Sequence, residues 1–213
     1  MFGISDGLVS NTSLIMGVSG AIAEPRTILI TGAAGLLAGA LSMAAGEYVS
    51  VSSQRELFEK EIERERESLV SRPKEEIDAL ARIYHRRGLP LDVACRVSKA
   101  LSADLRSALE THAREHLGLN PEDLGSPFGA AVSSFVSFAL GALVPLVPFM
   151  LGAGERAFAL AAAAAALGLF VVGMATSRLT GQPLVRGGLR LLVVGGGAGA
   201  LAYLIGKVLG VTV

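Results

Sequence analysis

Residues 32–67 read GAAGLLAGALSMAAGEYVSVSSQRELFEKEIERERE, and the architecture of the chain follows from them. The first half is apolar enough to sit in lipid. The second half, from Ser52 on, is so charged that it requires water. No proline or glycine falls between Glu47 and Arg72, so a single helix is expected to pass from one solvent into the other. At about 1.5 Å per residue, such a helix projects well beyond the bilayer. Met43 and Glu47 stand one turn apart inside its apolar half.

The rest of the composition agrees. Half of the 213 residues are hydrophobic and the mean hydropathy is +0.54, too apolar for a water-soluble domain. The chain has 19 basic and 19 acidic residues, and 28 of these lie between Arg55 and Asp123, together with all three histidines. This is the pattern of a membrane protein with one hydrophilic insert. A formal net charge of zero gives no sign of a nucleic-acid partner. The single cysteine, Cys95, excludes an internal disulfide and suits a reducing compartment for the insert. The N-terminus has no basic region and no cleavage motif, so residues 8–23 do not read as a cleaved signal peptide.

Five membrane spans are expected, at about Ile4–Ala23, Thr27–Val51, Phe128–Gly152, Arg156–Thr176 and Pro183–Gly210. The first is short and polar: Asp6, Ser10, Ser13 and Gly17 share one face. In the second, Gly32, Gly35, Gly39, Met43, Gly46 and Ser50 form a stripe, and small residues let helices approach closely. Those two faces are expected to pack together. Pro145 and Pro148 should kink the third span, and Gly195 and Gly199 form a GxxxG pair in the fifth.

The insert reads as four helices: the continuation of span two to about Val70, then 73–88, about 90–101 and about 103–116. The organisation is thus residues 1–51 as spans one and two, 52–125 as a helical metal-binding domain, and 126–213 as spans three to five. Thirteen basic residues in the insert and three in the loop 177–190 place both, with the N-terminus, in the cytoplasm. The fold class is an all-α membrane protein with five transmembrane helices and a cytoplasmic helical domain between helices two and three.

Carboxylates inside a membrane cost several kcal/mol, so Asp6 and Glu47 are candidate pathway residues; the alternative is that both are solvated at the cytoplasmic boundary. Met43 is either apolar filler or a soft ligand for a transition metal. On the first insert helix, Glu56, Glu59, Glu63 and Glu67 line up nearly opposite Phe58, Ile62 and Leu69, so they read as a solvated face, while Glu65 points inward. On the last insert helix, His112 and His116 share a face with Leu105 and Leu109. Histidines at i and i+4 can hold one metal together. Glu76 flanks the apolar face made by Ile77, Leu80 and Tyr84, and is the natural further ligand. Such an oxygen–nitrogen set suits divalent iron, manganese, cobalt or zinc alike. The sequence holds no nucleotide loop, nucleophile triad or CxxC pair, so no enzymatic activity is expected and an ion gradient would have to drive transport.

The segments DGLVSNTSLIMGV (residues 6–18) and GLLAGALSMAAGEYVSVSSQRE (residues 35–56), with the pattern P-x-E-E…A-x-I-Y-x-R-R-G, resemble the vacuolar iron transporter family, and the resemblance spans essentially the whole chain. It implies a homodimer of five-span subunits that exchanges cytosolic Fe²⁺ or another divalent metal for protons. It also implies a cytoplasmic metal-binding domain and a pathway near the dimer axis. The pathway aspartate then corresponds to Asp6 and the pathway methionine to Met43. Glu65 and Glu76 match cytoplasmic ligands, but the glutamates expected three residues after each are Ser68 and Ala79 here. A methionine and a glutamate of the last insert helix fall at His112 and His116.

The expected function is proton-coupled export of Fe²⁺ from the cytosol, with Mn²⁺, Co²⁺ and Zn²⁺ as alternative cargo and no other cofactor. The expected partners are metal ions, protons, lipid and a second copy of the chain. The expected location is a prokaryotic plasma membrane, with a vacuolar membrane as the alternative. The competing function is a membrane-anchored metal buffer or sensor that does not transport.

Overall fold

A computed structural model describes residues 2–21 and 24–211. Those residues form helices joined by turns, with no strand among them. In chain order the helices are α1 (Phe2–Ala21), α2 (Pro25–Ser71), α3 (Pro73–Arg86), α4 (Leu91–Leu101), α5 (Leu105–Glu115), α6 (Pro127–Leu143), α7 (Val147–Met150), α8 (Ala157–Leu179) and α9 (Leu184–Val211). The uninterrupted helix foreseen across residues 32–67 is part of the 47-residue α2. The end of the expected first span, Ile22 and Ala23, lies outside the described residues.

The chain divides into two compact units, Met1–Tyr48 with Phe128–Val213, and Val49–Pro127; α2 contributes to both. In the first unit, Ile15, Ile28, Leu146, Phe149, Ala157 and Ala161 form one buried cluster, and Ala40, Phe138 and Ala142 form another, with Met43 packed against it. Glycine sets the tightest approaches. A Cβ at Gly7 would collide with the backbone of Phe138, one at Gly141 with that of Ile4, and one at Gly206 with that of Gly17. So α1 lies backbone to backbone with both α6 and α9. The prolines act as expected: a 3-10 turn at Val144–Leu146 separates α6 from α7, because Pro145 and Pro148 have no N–H to continue the helical ladder.

Among the described residues, four segments are long and apolar enough to cross a membrane: α2, Pro127–Met150, α8 and Leu184–Gly210. With its 20 residues α1 has the length, but its serines, Asp6, Asn11 and Thr12 dilute its apolarity. Its Leu8, Asn11, Thr12 and Ile15 are nevertheless buried. A helix wrapped by other helices has no need of a lipid-like surface.

The pairing foreseen between the polar face of α1 and the small stripe of α2 takes another form. Gly32 and Gly35 receive the side chains of Ile15, Leu14 and Asn11, and Gly39 receives the ring of Phe138. Gly17 faces Ala202 of α9 instead. Notches in α2 accept large side chains there, and its backbone stays apart from that of α1.

In the second unit, Leu69, Leu80, Ala81, Ala94, Ala108 and Ala113 are buried. Pro73 stands in the first turn of α3 with Glu75 and Glu76, where acidic side chains meet the positive helix end. Gly88, at φ 104°, ends the segment in a backbone conformation that residues with a Cβ resist. The last helix begins at Leu105, two residues later than foreseen, because Asp104 caps it: its Oδ2 accepts from the Ser107 N–H at 3.0 Å. An Arg87–Glu115 ion pair joins the end of α3 to α5. Burial, and then Glu115, push the neighbouring Tyr84 phenol above its usual pKa.

Candidate functional site

The second unit gathers carboxylates and imidazoles. Glu65 is buried on α2, whereas Glu56, Glu59, Glu63 and Glu67 are exposed; Glu59 and Glu63 pair with Arg55 and Arg66. His112 of α5 is 1 % exposed, and its Nδ1 lies 2.9 Å from Glu65 Oε1. His116 approaches the same oxygen with its Nδ1 at 3.4 Å from the exposed side. Glu76 Oε2 lies 3.8 Å from His112 Nδ1. The four residues singled out in the insert therefore converge.

Glu65, His112 and His116 each present a ligand atom within 4.8 Å of the others. Donors held at about 2.0–2.1 Å from a tetrahedral ion are roughly 3.3 Å from one another, so little movement would be needed to close around one. In the tautomer that carries its proton on Nδ1, His112 donates to Glu65 Oε1. The other ring nitrogen, Nε2, is buried and has no hydrogen-bond partner among the described residues.

One member of this constellation was not foreseen. Ser68 occupies a position where a third glutamate was expected, yet its hydroxyl donates to Glu76 Oε1 at 2.5 Å. It orients the carboxylate that approaches His112, as a partner behind a metal ligand does. The signal was the spacing: Ser68 follows Glu65 by three residues on the same helical face.

In the first unit, Asp6 and Ser10 of α1 and Gly35, Gly39, Ser42 and Met43 of α2 line one cavity of about 350 Å³. The polar face of α1 and the small stripe of α2 thus meet across a space. Asp6 is exposed to it and Met43 is half-buried. Glu47, the third residue expected in the pathway, is half-buried but does not line this cavity. Asn11 does, and sequence reasoning passed over it. It is 2 % exposed, its Nδ2 donates to the Ala142 carbonyl at 2.6 Å, and its Oδ1 has no hydrogen-bond partner among the described residues. A buried amide oxygen beside a carboxylate and a thioether suits a cation.

Together these features define an all-helical membrane protein that carries a charged helical unit with a histidine–glutamate cluster. Comparison with known proteins is more specific. The model of the VIT family matches residues 1–207. Vacuolar iron transporter 1 of Arabidopsis thaliana is 31% identical over 209 residues, covering 98% of this chain and 84% of that protein. Vacuolar iron transporter homolog 1 of Oryza sativa subsp. japonica is 34% identical over 212 residues, 99% of this chain and 72% of its own. The vacuolar iron transporter of Acanthamoeba castellanii is 36% identical over 141 residues, 66% of this chain and 53% of its own. The chain belongs to the VIT family. That membership agrees with the expectation that it is not an enzyme.

Proposed function

We propose that the protein moves a divalent transition metal, Fe²⁺ first, out of the cytosol in exchange for protons. The observation that carries this reading is the cavity shared by Asp6 and Met43 in a chain similar to named iron transporters. A carboxylate binds either a metal or a proton, so a proton arriving at Asp6 releases the metal, and a metal arriving displaces the proton. Met43 supplies a soft sulfur, which favours Fe²⁺ over Mg²⁺ or Ca²⁺. Asn11 adds a neutral oxygen that can follow the ion without titrating. Glu65, Glu76, His112 and His116 gather metal from the cytosol. A buffer or sensor needs only this second group, and leaves the polar lining around Asp6 unexplained.

In this reading α1 is a fifth span, shielded by α6, α8 and α9. Residues 52–125 are cytoplasmic, and two copies associate so that the Asp6/Ser10 face lies near the common axis and away from lipid. The metal is delivered to the lumen of a vacuole, as the relatives' names suggest; nothing among those relatives supports the prokaryotic plasma membrane expected first. Two measurements test the proposal. Proteoliposomes with an acidic interior should take up Fe²⁺ while their pH gradient collapses, and uptake without proton movement would refute the exchange. Cys95 should label from the insert side and a Gly154→Cys variant from the opposite side. Labelling of both from one side would refute the topology.

A further inference from the structure

Where α8 turns into α9, four polar side chains surround a cavity of about 250 Å³: Ser177, Gln182, Arg186 and Arg190. None of them belongs to the metal pathway. The turn is fixed by Gly181, at φ 69°, and by the Gln182 N–H donating to the Ser177 carbonyl at 2.9 Å. It brings the first turn of α9 against the last turns of α8. Arg186 and Arg190 are one helical turn apart on the cavity side, and neither forms an ion pair with a carboxylate among the described residues. The free N–H groups of Leu184, Val185 and Arg186 open the 28-residue α9 and add positive potential.

Ser177 is an independent pointer. The residue is 2 % exposed, yet it lines the cavity, and its hydroxyl makes no hydrogen bond among the described residues. The neighbouring threonine hydroxyls behave differently: Thr176 and Thr180 return theirs to backbone carbonyls of their own helix. Space for the Ser177 hydroxyl depends on Gly187, since a Cβ there would collide with it. Two unpaired guanidiniums, a spare hydroxyl, an amide and a helix N-terminus all attract the same ligand, a phosphate group.

The surroundings indicate what carries that phosphate. Gly187 and Arg190 also line a second cavity of about 230 Å³, which continues between α8 and α9 past Gly173, Thr176, Leu191 and Val194, with Ser5 of α1 at its wall. Polar chemistry thus passes into apolar surface along two helices apolar enough to span a membrane. We propose that this is a binding site for the phosphate headgroup of an anionic phospholipid, with the glycerol and upper acyl chain following the second cavity. Guanidinium pairs at a membrane boundary suit such headgroups.

Titration of the purified full-length protein in neutral detergent with EDTA tests this, using dioctanoyl phosphatidic acid, dioctanoyl phosphatidylcholine and inorganic phosphate as probes. Phosphatidic acid should bind at least about tenfold more tightly than phosphatidylcholine, because its terminal phosphate carries a net negative charge that the choline cation offsets in phosphatidylcholine. It should also bind more tightly than inorganic phosphate. Arg186→Gln with Arg190→Gln should abolish the preference, while the same pair changed to lysine should keep part of it. Ser177→Ala should weaken it, and Arg178→Gln, outside the cavity, should leave it unchanged. Inorganic phosphate binding as tightly as phosphatidic acid would overturn the lipid assignment. Equal binding of the two lipids, or a double glutamine variant that elutes normally and retains the preference, would overturn the site.

Discussion

The cluster around Glu65 and the cavity around Asp6 and Met43 solve opposite problems with similar side chains. Around Glu65 the donors already touch: two imidazole nitrogens lie 2.9 Å and 3.4 Å from one oxygen. Around Asp6 the donors line a space of about 350 Å³ without closing on one another. A preformed cluster loses little entropy on binding and so retains an ion. An open cavity with one titratable group and one soft one gives an ion a place to stop and leave. In the proposed mechanism the first is for capture and the second for passage.

The sharpest way to break that contrast is at Asp6. Asp6→Asn keeps the size and removes the charge and the titration, so Fe²⁺ flux and coupled proton flux in liposomes should both disappear, while binding at the Glu65 cluster persists. Retained flux would end the pathway assignment. Next in size is the cluster: His112→Ala with His116→Ala should weaken Fe²⁺ or Co²⁺ binding by at least about tenfold, about 1.4 kcal/mol. Titration calorimetry measures this, and flux at saturating metal should survive. Met43→Leu should be milder. It keeps the volume against Phe138 and Ala142 and loses the sulfur, so flux remains with less preference for Fe²⁺ over Mg²⁺ in a competition assay. The smallest effect belongs to the exposed row: changing Glu56, Glu59, Glu63 and Glu67 together to glutamine should weaken binding less than the histidine pair does. The reverse order would mean that the outer face of α2 is the true capture surface.

Much of this arrangement was legible in the sequence because it is written in local signals. Pro73, Gly88 and Gly118 punctuate the insert, and the 3.6-residue period separates Glu65 from its exposed neighbours. Those two facts were enough to bring Glu65, Glu76, His112 and His116 to one place. Contacts between the membrane helices were not legible. Nothing near Asn11 announces that its amide donates to Ala142. The glycines misled for a related reason. Gly35 and Gly39 accept side chains, Gly141 and Gly206 accept backbones, and Gly195 of the GxxxG pair accepts Leu169 and Val9. Spacing shows that a notch exists but not what enters it.

The hydrogen bond from Asn11 to Ala142 also sets a schedule for synthesis. The two partners stand 131 residues apart, so α1 buries its amide only after α6 has been made. Until then α1 is a short polar helix with an unsatisfied amide, poorly suited to stay in lipid alone. Fused by itself to a soluble reporter, α1 should therefore be extractable from microsomes by alkaline carbonate. Asn11→Leu should anchor the same fusion, because it removes the group that waits for α6.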